Sequence, residues 1–390
     1  MGERAYVEVP GPWAAVVDMT ATAPARYYAS LVDHALRYGM PARRFGRVGA
    51  ALAAYGIGGQ RAARVLGLLP RTTRPDLEGL RVALASEWQR LAERSSRLSA
   101  APPDLTLLAL RRSSATIVFA FAMDAPDPVP LVVLKRPVRD HDGVRAEVRA
   151  LERAVPAGIA PRYLGPLRSA EVQEGLPGAP LAVERIPVDA AAGSAPTAEL
   201  RQLWRALSTL AERTSVPEPA DELVGSMTRA AGHPEIGRVA RQRIHRAATA
   251  LAGLEASVLR HGDASPHNVL CADGAFSGLV DWESARWRGV PGLDTLNSAM
   301  AYFEHGMGRV EWSGRLAAVA FRAAWDRAPL FAEARAAARE AARSAEMTDV
   351  QLDNLEVAFF ARRLARRIEG VWTASGPSSV AAMLEHVCAA

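Results

Sequence analysis

A chain of 390 residues, 49% hydrophobic and 23% charged, is longer than one ordinary compact domain and can bury a substantial core. No apolar run approaches the ~18 residues of a membrane span, and the N-terminus MGERAYVEVPGPW lacks the apolar stretch of a secretory signal. The two cysteines, Cys271 and Cys388, lie too far apart for a disulfide framework or a Cys-based zinc site, so a cytoplasmic, reducing location is expected. The net charge of +5 comes from arginines scattered along the chain without a nucleic-acid-binding motif, and no nucleic-acid partner is expected.

The first hundred residues read as mostly helical, with RYYASLVDHALRYG (26–39) and DLEGLRVALASEWQRLAERSSRL (76–98) as the clearest segments. In the second, Leu77, Leu80, Leu84, Trp88 and Leu91 recur at three- and four-residue steps and share one helix face. Between them GIGGQ (56–60) lacks both the P-loop pattern and a preceding strand, and reads as a helix–helix turn. The character changes at APPDL (101–105). TIVFAFA (116–122) and PLVVLKRP (130–137), separated by the turn-forming DAPDP, predict an antiparallel hairpin. GVRAEVRALERAV (143–155) predicts a helix, and short strands are expected near RYLGPL (162–167) and AEVQEGL (170–176). From about residue 196 helices dominate, interrupted by a polar loop flanked by short strands, VLRHGDASPHNVLCADGAFSGLVDWE (258–283). The fold class expected is therefore α+β, with segments 1–100, 101–178 and 179–390.

Of the 47 basic residues only Lys135 is a lysine, and it closes the strand-like LVVLKRP. A GC-rich genome explains the arginines; the exception suits a buried position that needs a compact ammonium rather than a planar fork. Phosphoryl transfer asks for such a cation on the α/β-phosphates, hard oxygen ligands for a metal ion, and a carboxylate that orients the attacking hydroxyl. The polar loop supplies the rest: Asp263 as the base, with Asn268 five positions on and Asp281 thirteen beyond that as Mg²⁺ ligands.

HGDASPHNVL followed by LVDWE resembles the catalytic loop and metal-binding segment of the aminoglycoside phosphotransferase and choline kinase-like family, in the small-molecule branch of the protein kinase-like superfamily. EGLPGAPL (174–181) is similar to the segment after that family's inter-lobe hinge, and GVPGLDTLNSA (289–299) to its GDPxxDLA segment. The resemblance covers roughly residues 105–370. It implies a two-lobed protein kinase-like fold, with a small antiparallel-sheet N-lobe, a mainly helical C-lobe, and here an extra helical N-terminal segment.

By the same resemblance, ATP and Mg²⁺ are the cofactors, His261 and Asp294 support the loop, and Glu147 pairs with Lys135 in preference to its rival Glu152. RRSSAT (111–116) stands where a nucleotide loop should cover the phosphates; it has no glycine, and Ser113 and Ser114 are its small residues. DWE in place of the protein kinases' DFG argues against a protein substrate.

The expected reaction is phosphorylation of a hydroxyl on a small molecule: an amino sugar, a sugar or an amino alcohol. The competing reading is an inactive nucleotide-binding pseudokinase acting as an interaction module. Residues 1–100 are read as a cap on the N-lobe, an oligomerisation element or a docking module for a protein partner. Charge leaves the acceptor open. Glu283, Asp294, Glu304 and Glu311 would suit a cation, whereas ARRLARRIEG (361–370) is either a lobe-packing face or a clamp for an anion.

Overall fold

A computed structural model describes residues 6–9, 14–37, 71–72, 74–111, 115–125, 128–137, 142–219, 223–308, 315–369 and 377–389. The chain divides into two compact units. One comprises Met1–Val155, Ala160–Pro180 and Leu270–Asp273; the other comprises Pro156–Ile159, Leu181–Val269 and Gly274–Ala390.

The first unit is built on an antiparallel sheet. Its strands are β1 (Tyr6–Val9), β2 (Ala15–Asp18), β3 (Arg71–Thr72), β4 (Leu105–Arg111), β5 (Ala115–Ala122), β6 (Val132–Pro137), β7 (Tyr163–Leu167) and β8 (Ala170–Glu174), in the spatial order β3-β1-β2-β4-β5-β6-β8-β7. The hairpin read from the sequence is β5 and β6, in register with Ile117 opposite Lys135.

Strand β4, LTLLALR, is buried along its length except at Arg111, because helices cover both faces of the sheet. On one face Leu108 and Leu110 join Val7, Val17, Ile117 and Phe119 beneath Tyr28 and Val32 of α1 (Thr22–Arg37). On the other, Leu107 and Ala109 join Val132 and Leu134 beneath α2 (Pro75–Ser86) and α3 (Trp88–Arg94), which contribute Leu77, Leu84, Trp88 and Leu91.

The N-terminal segment is thus helical in part, and the structure adds strands to it that the sequence reading did not place. YVEV and AVVD are four residues each, too short for periodicity to stand out, and they become strands by pairing: β1 with β2, and β2 with β4. The single helix expected over 76–98 breaks at Glu87, but its apolar stripe stays continuous across the break. GIGGQ lies outside the described residues.

In the first unit β8 is followed by β9 (Ala179–Pro180), and α4 (Asp142–Ala154) links β6 to β7. The second unit contains α5 (Ala198–Thr214), α6 (Leu223–Ala231), α7 (Arg238–Ala252), α8 (Leu293–Met307), α9 (Arg315–Arg327), α10 (Pro329–Ser344), α11 (Asp349–Leu352), α12 (Leu355–Ile368) and α13 (Pro377–Ala389). Helix α8 is buried nearly all round, including Asp294 and Glu304, which marks it as the central helix of this unit. Phe303, Phe321, Trp325, Phe331 and Phe360 fill the space around it, mostly in edge-to-face contacts 5.1–6.1 Å apart. Short strands β10 (Val258–Arg260) and β13 (Arg286–Gly289) pair antiparallel, and β11 (Val269–Ala272) and β12 (Ala275–Leu279) lie between them in the chain. Among the described residues no helix is long and apolar enough to cross a membrane.

Candidate active site

In the sheet unit, β6 carries Lys135 inward and leaves it 7% exposed. Helix α4 brings Glu147 to it on the face shared with Ala150, Leu151 and Ala154, all buried. Lys135 Nζ donates to Glu147 Oε1 at 2.7 Å, and Gln173 Nε2 from β8 donates to the same oxygen at 3.1 Å. Glu152 is exposed. A buried ammonium thus has its counter-charge fixed from a helix, and that carboxylate is itself positioned by a neutral donor.

In the helical unit the polar loop begins as β10 ends. Gly292 takes a left-handed conformation (φ 79°) directly before α8, and a side chain there would run into the Ala338 carbonyl. The turn sets Asp294 in the first turn of the helix, where its carboxylate takes three donors: Arg260 Nη2 at 2.7 Å, the His261 amide at 2.6 Å and the Gly262 amide at 3.2 Å. Burial pushes the pKa of Asp294 up, but the Arg260 charge and these hydrogen bonds outweigh it and hold the carboxyl below its ordinary range. Gly262 also needs a positive φ, 82°, and lies against the Ser284 carbonyl with no room for a Cβ.

Asp263 therefore leaves a backbone pinned on one side by Asp294. The other side is pinned by His261, whose Nε2 meets the Val280 carbonyl at 3.0 Å and whose ring stands edge-on to Trp282 at 4.6 Å. Trp282 Nε1 donates to Leu279 O at 2.9 Å, and the Val280 amide donates to Asn268 O at 2.9 Å. HGDASPHN and VDWE are thus tied together in space as well as in sequence.

The Asp263 side chain is 44% exposed and accepts from Ser265 Oγ at 2.8 Å and Asn268 Nδ2 at 3.1 Å, with His267 Nε2 3.7 Å away. Burial raises its pKa, but the His267 and Ser265 contacts hold the carboxyl well below the ordinary carboxylate range. Asn268 spends its amide nitrogen on Asp263, on the main-chain oxygen at 3.0 Å as well as on the carboxylate. Its carbonyl oxygen is left over for a hard cation. Asp281 sits at φ 67°, ψ 60°, a left-handed conformation that aspartate tolerates better than most residues and that is characteristic of functional turns. The described residues hold no group of three or more His, Cys, Asp or Glu side chains suited to a metal. A divalent ion would draw on Asn268, Asp281 and oxygens of a phosphate ligand, as Mg²⁺ commonly does.

The structure accordingly brings Lys135 to Glu147 in one unit, and His261, Asp263, Asn268 and Asp294 together in the other. Ser113 and Ser114 lie outside the described residues. Sequence reasoning missed Gln173, Ser265 and the Arg260–Asp294 pair, and read His267 only as local structure or substrate-facing. Only Ser265 carried a signal, as a hydroxyl two residues after a candidate base.

A model of the phosphotransferase enzyme family (APH) matches residues 124–338, just over half of the chain. No curated protein sequence matches it. Solved structures similar to it include the macrolide 2'-phosphotransferase MphH of Brachybacterium faecium, 20% identical over 70% of this chain and 88% of that one, with a TM-score of 0.37. A Cryptosporidium parvum choline kinase is 11% identical over 72% and 87% (TM-score 0.41), and a Plasmodium vivax ethanolamine kinase 10% identical over 84% and 93% (TM-score 0.43).

Proposed function

The chain belongs to the phosphotransferase enzyme family, and from that premise we propose that it transfers the γ-phosphoryl group of ATP to a hydroxyl of a small molecule. Membership of the phosphotransferase enzyme family and an α+β architecture support this reading; the acceptor class, nucleotide, metal and residue roles are our own. The observation that carries it is Asp263. It is a part-exposed carboxylate kept ionised by Ser265 and His267, on a backbone that Asp294 and His261 hold rigid.

In this reading the acceptor oxygen forms a bond to the γ-phosphorus as the bond from that phosphorus to the β-bridging oxygen breaks, releasing ADP. The hydroxyl proton passes to the Asp263 carboxylate. A carboxyl held so acidic is a weak base, so Asp263 acts first by orienting the hydroxyl and accepts the proton late, when the forming bond has acidified it. Lys135, oriented by Glu147, neutralises phosphate oxygens. Asn268 and Asp281 would hold Mg²⁺, which supplies positive charge to the transferring group when bound. Ser113 and Ser114 are assigned to the loop over the phosphates.

Asp263→Asn tests the reading. ATP turnover should fall at least ~10³-fold, with calorimetric binding of a Mg²⁺-loaded non-hydrolysable ATP analogue unchanged. Turnover that survives the substitution refutes the assignment. Nucleotide binding with no turnover on any acceptor by the wild type replaces it with the interaction-module reading.

A further inference from the structure

Residues 361–368 of the arginine-rich motif lie on α12, and the helix sorts the arginines onto two stripes. Arg363 belongs to the buried one: its guanidinium donates to the Glu304 carboxylate of α8, and both are under 10% exposed. Arg362 and Arg366, four residues apart on the neighbouring stripe, are half-buried, and neither has a hydrogen-bond acceptor or a carboxylate partner among the described residues.

The charges around these two are mostly of their own sign. Burial, followed by the charges of Arg260, Arg366 and Arg286, lowers the pKa of Arg362 to about 9, with Asp294 opposing. Arg366 is lowered by burial and by Arg260, Arg286 and Arg363, with Asp263 opposing. Both stay cationic at neutral pH. Asp294 is already committed to Arg260 and Glu304 to Arg363, and among the described residues Asp263 forms no ion pair with either arginine. Arg260 Nε and Arg363 Nε are buried without an acceptor among the described residues, as are Arg367 Nε and Nη2.

A stripe that merely packed its aliphatic stems would turn its guanidinium groups to water. Here both residues are half-buried and feel the charge of other arginines, and Arg366 lies within electrostatic reach of the carboxylate assigned to the acceptor hydroxyl. Repulsion of that kind persists in a folded protein where a ligand offsets it. A polycationic acceptor would meet the same repulsion.

We propose that Arg362 and Arg366 form an anion subsite, and that the acceptor carries a phosphate or carboxylate bound there while Asp263 holds its hydroxyl. The proposal rests on the phosphotransferase reading of Asp263 and narrows its acceptor to hydroxy-compounds bearing an oxyanion. Two guanidinium groups four residues apart on one helix suit the bidentate recognition of either group.

The test uses the full chain saturated with Mg²⁺ and a non-hydrolysable ATP analogue, so that phosphate binding at the nucleotide site is blocked. Glycerol 3-phosphate, glycerate and choline are titrated calorimetrically into wild type and Arg362→Gln/Arg366→Gln. The expected result is binding of glycerol 3-phosphate, glycerate or both by the wild type, weakened at least ~30-fold in the double variant, with no binding of choline. The unliganded variant should melt at the same temperature as wild type or higher, because two unpaired cations are gone; a purely structural stripe would lose stability. Which anion binds separates phosphate from carboxylate. Equal anion binding by both proteins, or preference for choline, overturns the subsite. Should the variant fail to fold, Arg362→Lys/Arg366→Lys keeps the charge and removes the fork, and an unchanged anion affinity there overturns bidentate recognition. Anion binding by a wild type that phosphorylates nothing would sink the phosphotransfer reading and leave the subsite standing.

Discussion

The two units each bury a cation–carboxylate pair, and the pairs are built for different work. In the sheet unit Glu147 takes only side-chain donors, Lys135 and Gln173, on a single oxygen. In the helical unit Asp294 takes one side chain, Arg260, and two backbone amides, those of His261 and Gly262. The first arrangement fixes a cation and leaves the chain around it to the sheet. The second fixes the chain itself, at the residue before Asp263. One pair can therefore be replaced without disturbing the backbone, and the other cannot.

The largest effect should come from Asp294→Ala. It strands a buried guanidinium and two amides, and urea unfolding followed by circular dichroism should show a loss of about 3–5 kcal/mol. A loss below about 1 kcal/mol would mean that the carboxylate does not hold the loop. Double replacements sharpen the contrast. Lys135→Met/Glu147→Gln removes both buried charges while the substituted amide can still accept from Gln173, and it should unfold within about 1 kcal/mol of wild type while lacking turnover. Arg260→Met/Asp294→Leu should remain at least about 2 kcal/mol less stable, because the His261 and Gly262 amides still lack an acceptor. Equal stability of the two double variants would erase the distinction.

Next in size is Lys135→Arg, which tests why the chain spends its one lysine at this point. The site is 7% exposed and shaped to one ammonium against Glu147. A planar guanidinium keeps the charge but neither the bulk nor the donor geometry. Turnover with ATP should drop about 10²-fold, equivalent to about 2.7 kcal/mol, with little change in unfolding. Undiminished activity would return Lys135 to an accident of composition.

What the sequence disclosed and what it hid follow the same division. The β5–β6 hairpin, α4 and the tie between HGDASPHN and VDWE were legible because strand alternation, helical spacing and a dense polar motif are local signals. Strands β1 and β2 were not, since YVEV and AVVD acquire their identity only by pairing with a sheet whose next strand begins at Leu105. The arginine stripes of α12 were visible as a motif, but which stripe is neutralised depends on Glu304, some sixty positions away. Gln173 was invisible for a like reason: a glutamine on a strand announces nothing until a helix sets Glu147 beside it.

The smallest effect concerns Asp263, which belongs to neither kind of pair: it is 44% exposed and bonded to Ser265 and Asn268. Ser265→Ala removes one hydrogen bond to the ionised form. Solvent screens a part-exposed group, so the bond is worth about 0.5–1 kcal/mol, less than about one pKa unit. The sign is fixed. The folded pKa of Asp263 is depressed, so the stability it contributes is present above the unfolded pKa of ~3.9 and is lost as pH falls through the folded value. Weakening the depression moves the folded pKa upward. In the variant the acid limb of kcat/KM should therefore shift to higher pH, while at pH 7, where both carboxyls are ionised, turnover should change less than about threefold. A shift toward lower pH would show that Ser265 binds the protonated carboxyl instead, and would remove the ground for treating Asp263 as a permanently ionised base.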